Sequence, residues 1–196
     1  SSLGEDMVAD PPPTPAMRAA AERGRLIHCL LERLPPVAAD QRRGAAERWL
    51  IQAAGVEDAA LRADVTGAVF AILDDPAFAP LFGPDSLAEA PIAATLANGL
   101  VVSGRVDRLL IGAEEIRLID YKTGRRAPGG IDDVPVFHLA QMAGYAAALE
   151  VIFPGRAVSV SLLYTAGPRL ITVPDAVLAT HKPRYRDGEQ SLALGG

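Results

Sequence analysis

Two periodicities divide the chain. From Pro15 to Pro76 apolar residues recur every three or four positions. In "AMRAAAERGRLIHCLLERLP" Leu26, Leu30 and Leu34 form one stripe with Ile27 and Leu31 beside it, and Pro35-Pro36 ends the helix. "QRRGAAERWLIQAAG" and "EDAALRADVTGAVFAILDDP" predict two further amphipathic helices, and "PAFAPLFGPDS" a turn-rich connection. Beyond it the period drops to two, and "LAEAPIAATLA", "LVVSGRVDRLLI" and "EIRLIDYKT" predict three successive strands. The loop "GRRAPGGIDDVP" leads into an alanine-rich helix, "VFHLAQMAGYAAALEVIFP", and "AVSVSLLYTA" and "PRLITVP" predict two more strands. Residues 1–15 are polar and proline-rich and read as a disordered arm or linker. Residues 175–196 read as a C-terminal tail, polar and poorly ordered from His181. The order implies one α/β domain over 16–174: a helical N-terminal cap at 16–82, then an α/β core at 87–174 on a mixed sheet.

The second and third strands break their own pattern. Each carries an aspartate, Asp107 and Asp120, and Lys122 follows the second by two places. A hairpin that closes by pairing Gly112 with Glu115, or Ile111 with Ile116, sets Asp107 opposite Asp120 and Arg105 opposite Lys122. Strict alternation would then put Arg105, Asp107, Leu109, Leu118, Asp120 and Lys122 on one face, with Val106 and Ile119 on the other. Opposed carboxylates would have Cβ atoms roughly 5 Å apart, and like charges so placed are destabilising. Either the cluster is a solvated ion-pair surface, or a shared divalent cation of the Mg²⁺ or Mn²⁺ type offsets the repulsion. Two carboxylates, a lysine and such an ion can together hydrolyse a phosphodiester.

Composition narrows the classes. The 196 residues are 49% hydrophobic, enough for a substantial core, and carry a net charge of −5. A small autonomous DNA-binding module is usually basic, so a tight grip on nucleic acid would need a local patch or a partner. The single cysteine, Cys29, excludes an internal disulfide framework and a four-cysteine iron–sulfur cluster. No apolar run reaches the length of a membrane span, and no signal-peptide core is visible, so a soluble cytoplasmic protein without membrane contact is expected.

The pattern Asp107 followed by "DYK" at 120–122 resembles the PD-(D/E)XK nuclease superfamily, and more closely its RecB-like branch. "RGRLIHCLLERLP" resembles the branch's helix that supplies a metal-binding histidine, mapping onto His28; "LAEAPI" resembles its acidic position, mapping onto Glu89; "QMAGY" resembles its Gln-x-x-x-Tyr helix, mapping onto Gln141 and Tyr145. The α-helical phrasing around His28 is most similar to the C-terminal nuclease domains of AddA-type helicase–nuclease subunits. The resemblance implies a restriction-endonuclease-like sheet flanked by helices, with Mg²⁺, or Mn²⁺ in its place, held by His28, Asp107, Asp120 and the Tyr121 carbonyl. It implies Asp107, Asp120 and Lys122 as the catalytic set, Gln141 and Tyr145 as contacts to the DNA backbone or as active-site hydrogen-bonding groups, and Arg105 and Arg125 as contacts to phosphates of the DNA. Glu89 and Glu32 would be supporting residues, Glu32 either orienting the imidazole of His28 or pairing with a nearby arginine. The implied partners are single-stranded DNA, a helicase portion of the same polypeptide and an AddB-type subunit acting in double-strand-break repair. The alternative is a catalytically inert scaffold that binds DNA or a partner subunit.

Overall fold

A computed structural model describes residues 12–183 and the backbone of 191–194. Three helices come first: α1 (Pro15–Arg33), α2 (Arg42–Gln52) and α3 (Ala59–Leu73). Thr14 caps α1 by accepting a hydrogen bond from the Met17 amide at 3.2 Å, and Pro15 supplies a preset φ at the first position. A 3-10 turn at Ala79–Phe82 then leads to β1 (Ser86–Thr95), β2 (Val101–Ile111) and β3 (Glu115–Lys122). A second such turn (Ile131–Asp133) precedes α4 (Val136–Ile152), and β4 (Ala157–Tyr164) and β5 (Arg169–Val173) follow. Each predicted helix and strand is present, and the chain adopts the expected α/β architecture: a mixed sheet flanked by helices.

The strands are ordered β1-β2-β3-β4-β5, antiparallel except for β3 and β4, which the α4 crossover makes parallel. The cap helices pack their stripe of Leu26, Ile27, Leu30 and Leu31 on one face, against Ile119, Tyr121 and Leu163. On the other face α4 buries Leu139, Met142 and Leu149 against Leu109, Leu118, Val160 and Leu162. The hydrophobic gain from these two layers fixes the sheet's orientation between them.

The hairpin closes as its sequence predicts. Gly112 donates its amide to the Glu115 carbonyl at 2.9 Å, and the ladder runs from Ile111↔Ile116 to Arg108↔Ile119. The segment after β5 is more structured than a tail: α5 (Asp175–Thr180) packs on α4, and β6 (Ser191–Leu194) pairs in parallel with Val101–Gly104 of β2. Residues 1–11, which make up most of the expected arm, lie outside the described residues, as do 184–190 and 195–196. Since β1 lines one edge of β2 throughout, β3 and β6 share the other edge. Asp107 lies at the fork between them.

Candidate active site

Helix α1 reaches the sheet through a glycine. A Cβ on Gly24 would sit 2.6 Å from the Thr123 Oγ1, so the close approach of α1 to the end of β3 needs the bare backbone. Arg23 ties α1 to α3 by donating to Asp64 at 2.6 Å and to the end of β3 by donating to the Thr123 carbonyl at 3.3 Å. One turn later His28 points at the fork. Its Nδ1 lies 2.9 Å from Asp107 Oδ1, and its ring meets Tyr121 edge-on at 5.5 Å.

At the fork, Asp107 Oδ2 accepts the Tyr121 backbone amide at 2.6 Å, so the carboxylate takes over a ladder bond where the two strands part. Asp120 faces α4 instead, with Lys122 Nζ at 2.6 Å from its Oδ2 in a close ion pair. Lys122 also donates to Gln141 Oε1 at 3.0 Å. Across β2, Glu89 has φ +50, a left-handed conformation uncommon for such a residue, while the β1–β2 register continues on both sides of it. One ligand atom from each of His28, Glu89 and Asp107 falls within 4.8 Å of the others. A cleft of about 780 Å³ opens over these residues, Asp120 and Lys122.

The expected face assignment is corrected. Val106 packs in the α4-side core with Leu109, although two residues an odd number apart should face opposite ways. Asp107 and Arg108 both turn to the cap, Asp107 to His28 and Arg108 to the Leu31 carbonyl at 2.7 Å. Alternation slips by one residue at the fork because Asp107 is drawn into the seam by His28 and the Tyr121 amide. Asp107 and Asp120 are therefore neighbours through the gap between strands, not side by side on one face.

The field at this fork is strongly negative. Burial, then the Asp107 charge, raises the Asp120 carboxyl to about 6 against the opposing pull of Lys122. Burial and Asp107 also raise Glu89. For His28 burial is the largest influence and favours the neutral ring, but Asp107, Asp120 and Glu89 outweigh it and leave the imidazole above its ordinary value. Each group is pulled towards holding a proton, the response expected of a site whose donors suit a cation. Carboxylate oxygens with one imidazole are also the donor set that Mg²⁺ or Mn²⁺ accepts.

The remaining expected residues separate. Gln141 holds Lys122 by accepting from its ammonium. Tyr145 is fully buried and donates its hydroxyl to the Arg105 carbonyl at 3.1 Å, so it anchors β2 to α4 and is not a surface for DNA. The same helical turn that puts these two residues on one face carries that face into the sheet. Arg105 sits on the rim, largely exposed, with Glu89 3.9 Å away. Arg125 lies close enough to Asp64 to lower its carboxyl, after the larger effect of Arg23. Asp107, not Glu32, bonds the His28 imidazole; Glu32 lines the cleft one turn on and helps raise Glu89.

Three residues escaped the sequence reading. Arg108 is buried with donations to Tyr121 Oη, Ser86 Oγ and the Leu31 carbonyl, and its only sequence signal is a second charge within an apolar strand. His138 lines the cleft beside Lys122, and burial followed by that charge lowers its imidazole to about 4. Tyr164 is the β4 partner of Lys122. Neither His138 nor Tyr164 stands in a motif.

Comparison with known proteins adds the following. The family model of the PD-(D/E)XK nuclease superfamily matches residues 4–188. The crystal structure of a provisionally named exonuclease from Eubacterium rectale superposes with a TM-score of 0.56 at 16% identity, covering 83% of this chain and 62% of that one. At that identity the likeness shows the fold, and this chain spans less than two thirds of the other protein. The crystal structure of SSO0001 aligns at 14% identity and a TM-score of 0.35, covering 84% of this chain and 83% of that one, too low to carry an argument. No curated protein matches the sequence.

Proposed function

This chain belongs to the PD-(D/E)XK nuclease superfamily, and on that premise we propose that it is a divalent-metal-dependent deoxyribonuclease. The observation that carries the reading is one cleft lined by His28, Glu89, Asp107, Asp120 and Lys122, drawn from α1, β1, β2 and β3, with ligand atoms of His28, Glu89 and Asp107 within 4.8 Å of one another. His28, Asp107 and Asp120 would hold Mg²⁺, with Glu89 joining them and the Tyr121 carbonyl as a further donor. When bound there, the ion lowers the pKa of a coordinated water and offsets charge on the phosphoryl oxygens.

The protein's own groups prepare that chemistry. Asp107 Oδ1 lies 2.9 Å from His28 Nδ1 and so sets the orientation of the imidazole at the fork. Gln141 and Asp120 hold the Lys122 ammonium, and from that position it orients an attacking water and faces the charge that develops on phosphorus.

The finer reading is an exonuclease acting on single-stranded DNA unwound by an AddA-type helicase, with an AddB-type partner, in cytoplasmic double-strand-break repair. The phrasing around His28 supports it. So does the net charge of −5, which suits a domain to which a motor delivers the strand. Arg105 and Arg125 on the rim would meet the backbone.

End-labelled single-stranded DNA incubated with Mg²⁺ or Mn²⁺ tests this reading. The wild type should cut and stop on chelation, while Asp120→Ala and Lys122→Ala lose at least about 100-fold. Undiminished cutting by both variants would refute the assignment. A folded, metal-binding wild type that never cuts would favour the inert scaffold.

A further inference from the structure

A second cavity, of about 740 Å³, opens on the other side of Lys122. It shares Lys122, Thr123 and His138 with the catalytic cleft, so the two are neighbouring chambers. Its walls are apolar where Ala127, Pro128 and Pro135 line them, and the Tyr164 ring lies beside Lys122 in the β3–β4 register. The outer wall is held in place. Arg169 donates to the carbonyls of Pro128 and Gly129 at 2.8 and 2.7 Å, and a Cβ on Gly129 would fall 2.8 Å from Asp133 Oδ2.

Two polar atoms in this lining are buried without a hydrogen-bond partner: the Tyr164 hydroxyl, on a side chain only 4% exposed, and His138 Nδ1. Buried polar atoms left unpaired cost stability, so each calls for a water, an ion or a ligand to complete it. A chamber of this size with apolar walls and a few fixed polar groups suits a flat heterocycle. We propose that it receives the nucleobase of the nucleotide whose phosphate meets Lys122. The base would lie against the Tyr164 ring and the proline walls, with the Tyr164 hydroxyl and His138 Nδ1 on its polar edge. Such a chamber takes only an unpaired base, in a single strand or flipped out of a duplex. The placement of the phosphate rests on the nuclease reading; the base chamber itself does not.

Binding without cleavage separates the two. The isotope-labelled chain, kept in chelator, is titrated with thymidine 5′-monophosphate and with 2-deoxyribose 5-phosphate, and its NMR signals are followed. The nucleotide should bind about tenfold more tightly than the sugar phosphate and shift Ala127, Gly129 and Tyr164. Tyr164→Phe should lose about threefold of that advantage, and Ala127→Trp, which fills the chamber, should abolish it while the rest of the spectrum is kept. Equal affinities, or no shifts at residues 127–129, overturn the proposal even if DNA is cut. Base-dependent shifts in a protein that cuts no DNA uphold the chamber and count against the nuclease reading alone.

Discussion

Arg108 and Asp120 are buried to the same degree, each 3% exposed, on adjacent strands of one sheet. Arg108 is satisfied: three oxygens accept its hydrogen bonds and its guanidinium lies 5.0 Å from the centre of the Phe82 ring. Asp120 has one close cation, Lys122 Nζ at 2.6 Å from Oδ2, and the Asp107 charge across the gap. Burial of a charge is tolerated when its partners are complete, and incomplete partnership at equal burial marks a site kept for something other than folding. Arg108 joins the cap to the sheet, while Asp120 belongs to the site proposed for the metal.

Substitutions should separate the two roles. Asp120→Asn should reduce cleavage at least about 100-fold. In the metal-free protein at pH 8 the same change should raise the melting temperature by about 3 °C, because it removes a strained negative charge. A falling melting temperature would mean that Asp120 is structural. Arg108→Ala should do the reverse, lowering stability by about 3 kcal/mol in denaturant titrations by stranding its three acceptors, while the folded fraction still cuts.

Metal binding should show the same contrast through pH. Asp120 at about 6 and His28 raised above its ordinary value still hold protons at pH 5, and Glu89, also raised, gives up its own later than an ordinary carboxyl. Those protons must leave for a cation to bind, so the thermal shift from Mn²⁺ should grow from pH 5 to pH 8. A shift independent of pH would place the ion elsewhere. The smallest effect belongs to Tyr145→Phe, which should cost about 1 kcal/mol through its lost bond to the Arg105 carbonyl. Oligonucleotide affinity should stay unchanged, since the hydroxyl faces the sheet; a clear loss would restore Tyr145 as a DNA contact.

Local signals were legible in the sequence. The period change located the helices and strands, and the turn at Gly112 fixed the hairpin register, so Asp107 and Asp120 could be placed near one another. The fork was not legible. It depends on β6 taking the lower half of one edge of β2, and that strand lies in a stretch read as tail. The slip of alternation at Asp107 depends on His28, which reaches β2 through the tertiary packing of α1. The sequence assigns Glu89 a supporting role, yet one of its carboxylate oxygens falls within 4.8 Å of ligand atoms of His28 and Asp107. Tyr164 and His138 have no periodic or motif signal; only the cavity between them gives them meaning.

Isothermal titration of the metal-free protein with Mn²⁺ tests the central claim, that the fork is a cation site built on Asp107. The wild type should bind, and Asp107→Asn, with its fold verified by circular dichroism, should bind at least about tenfold more weakly. Equal binding by the two proteins, or none by either, would contradict it.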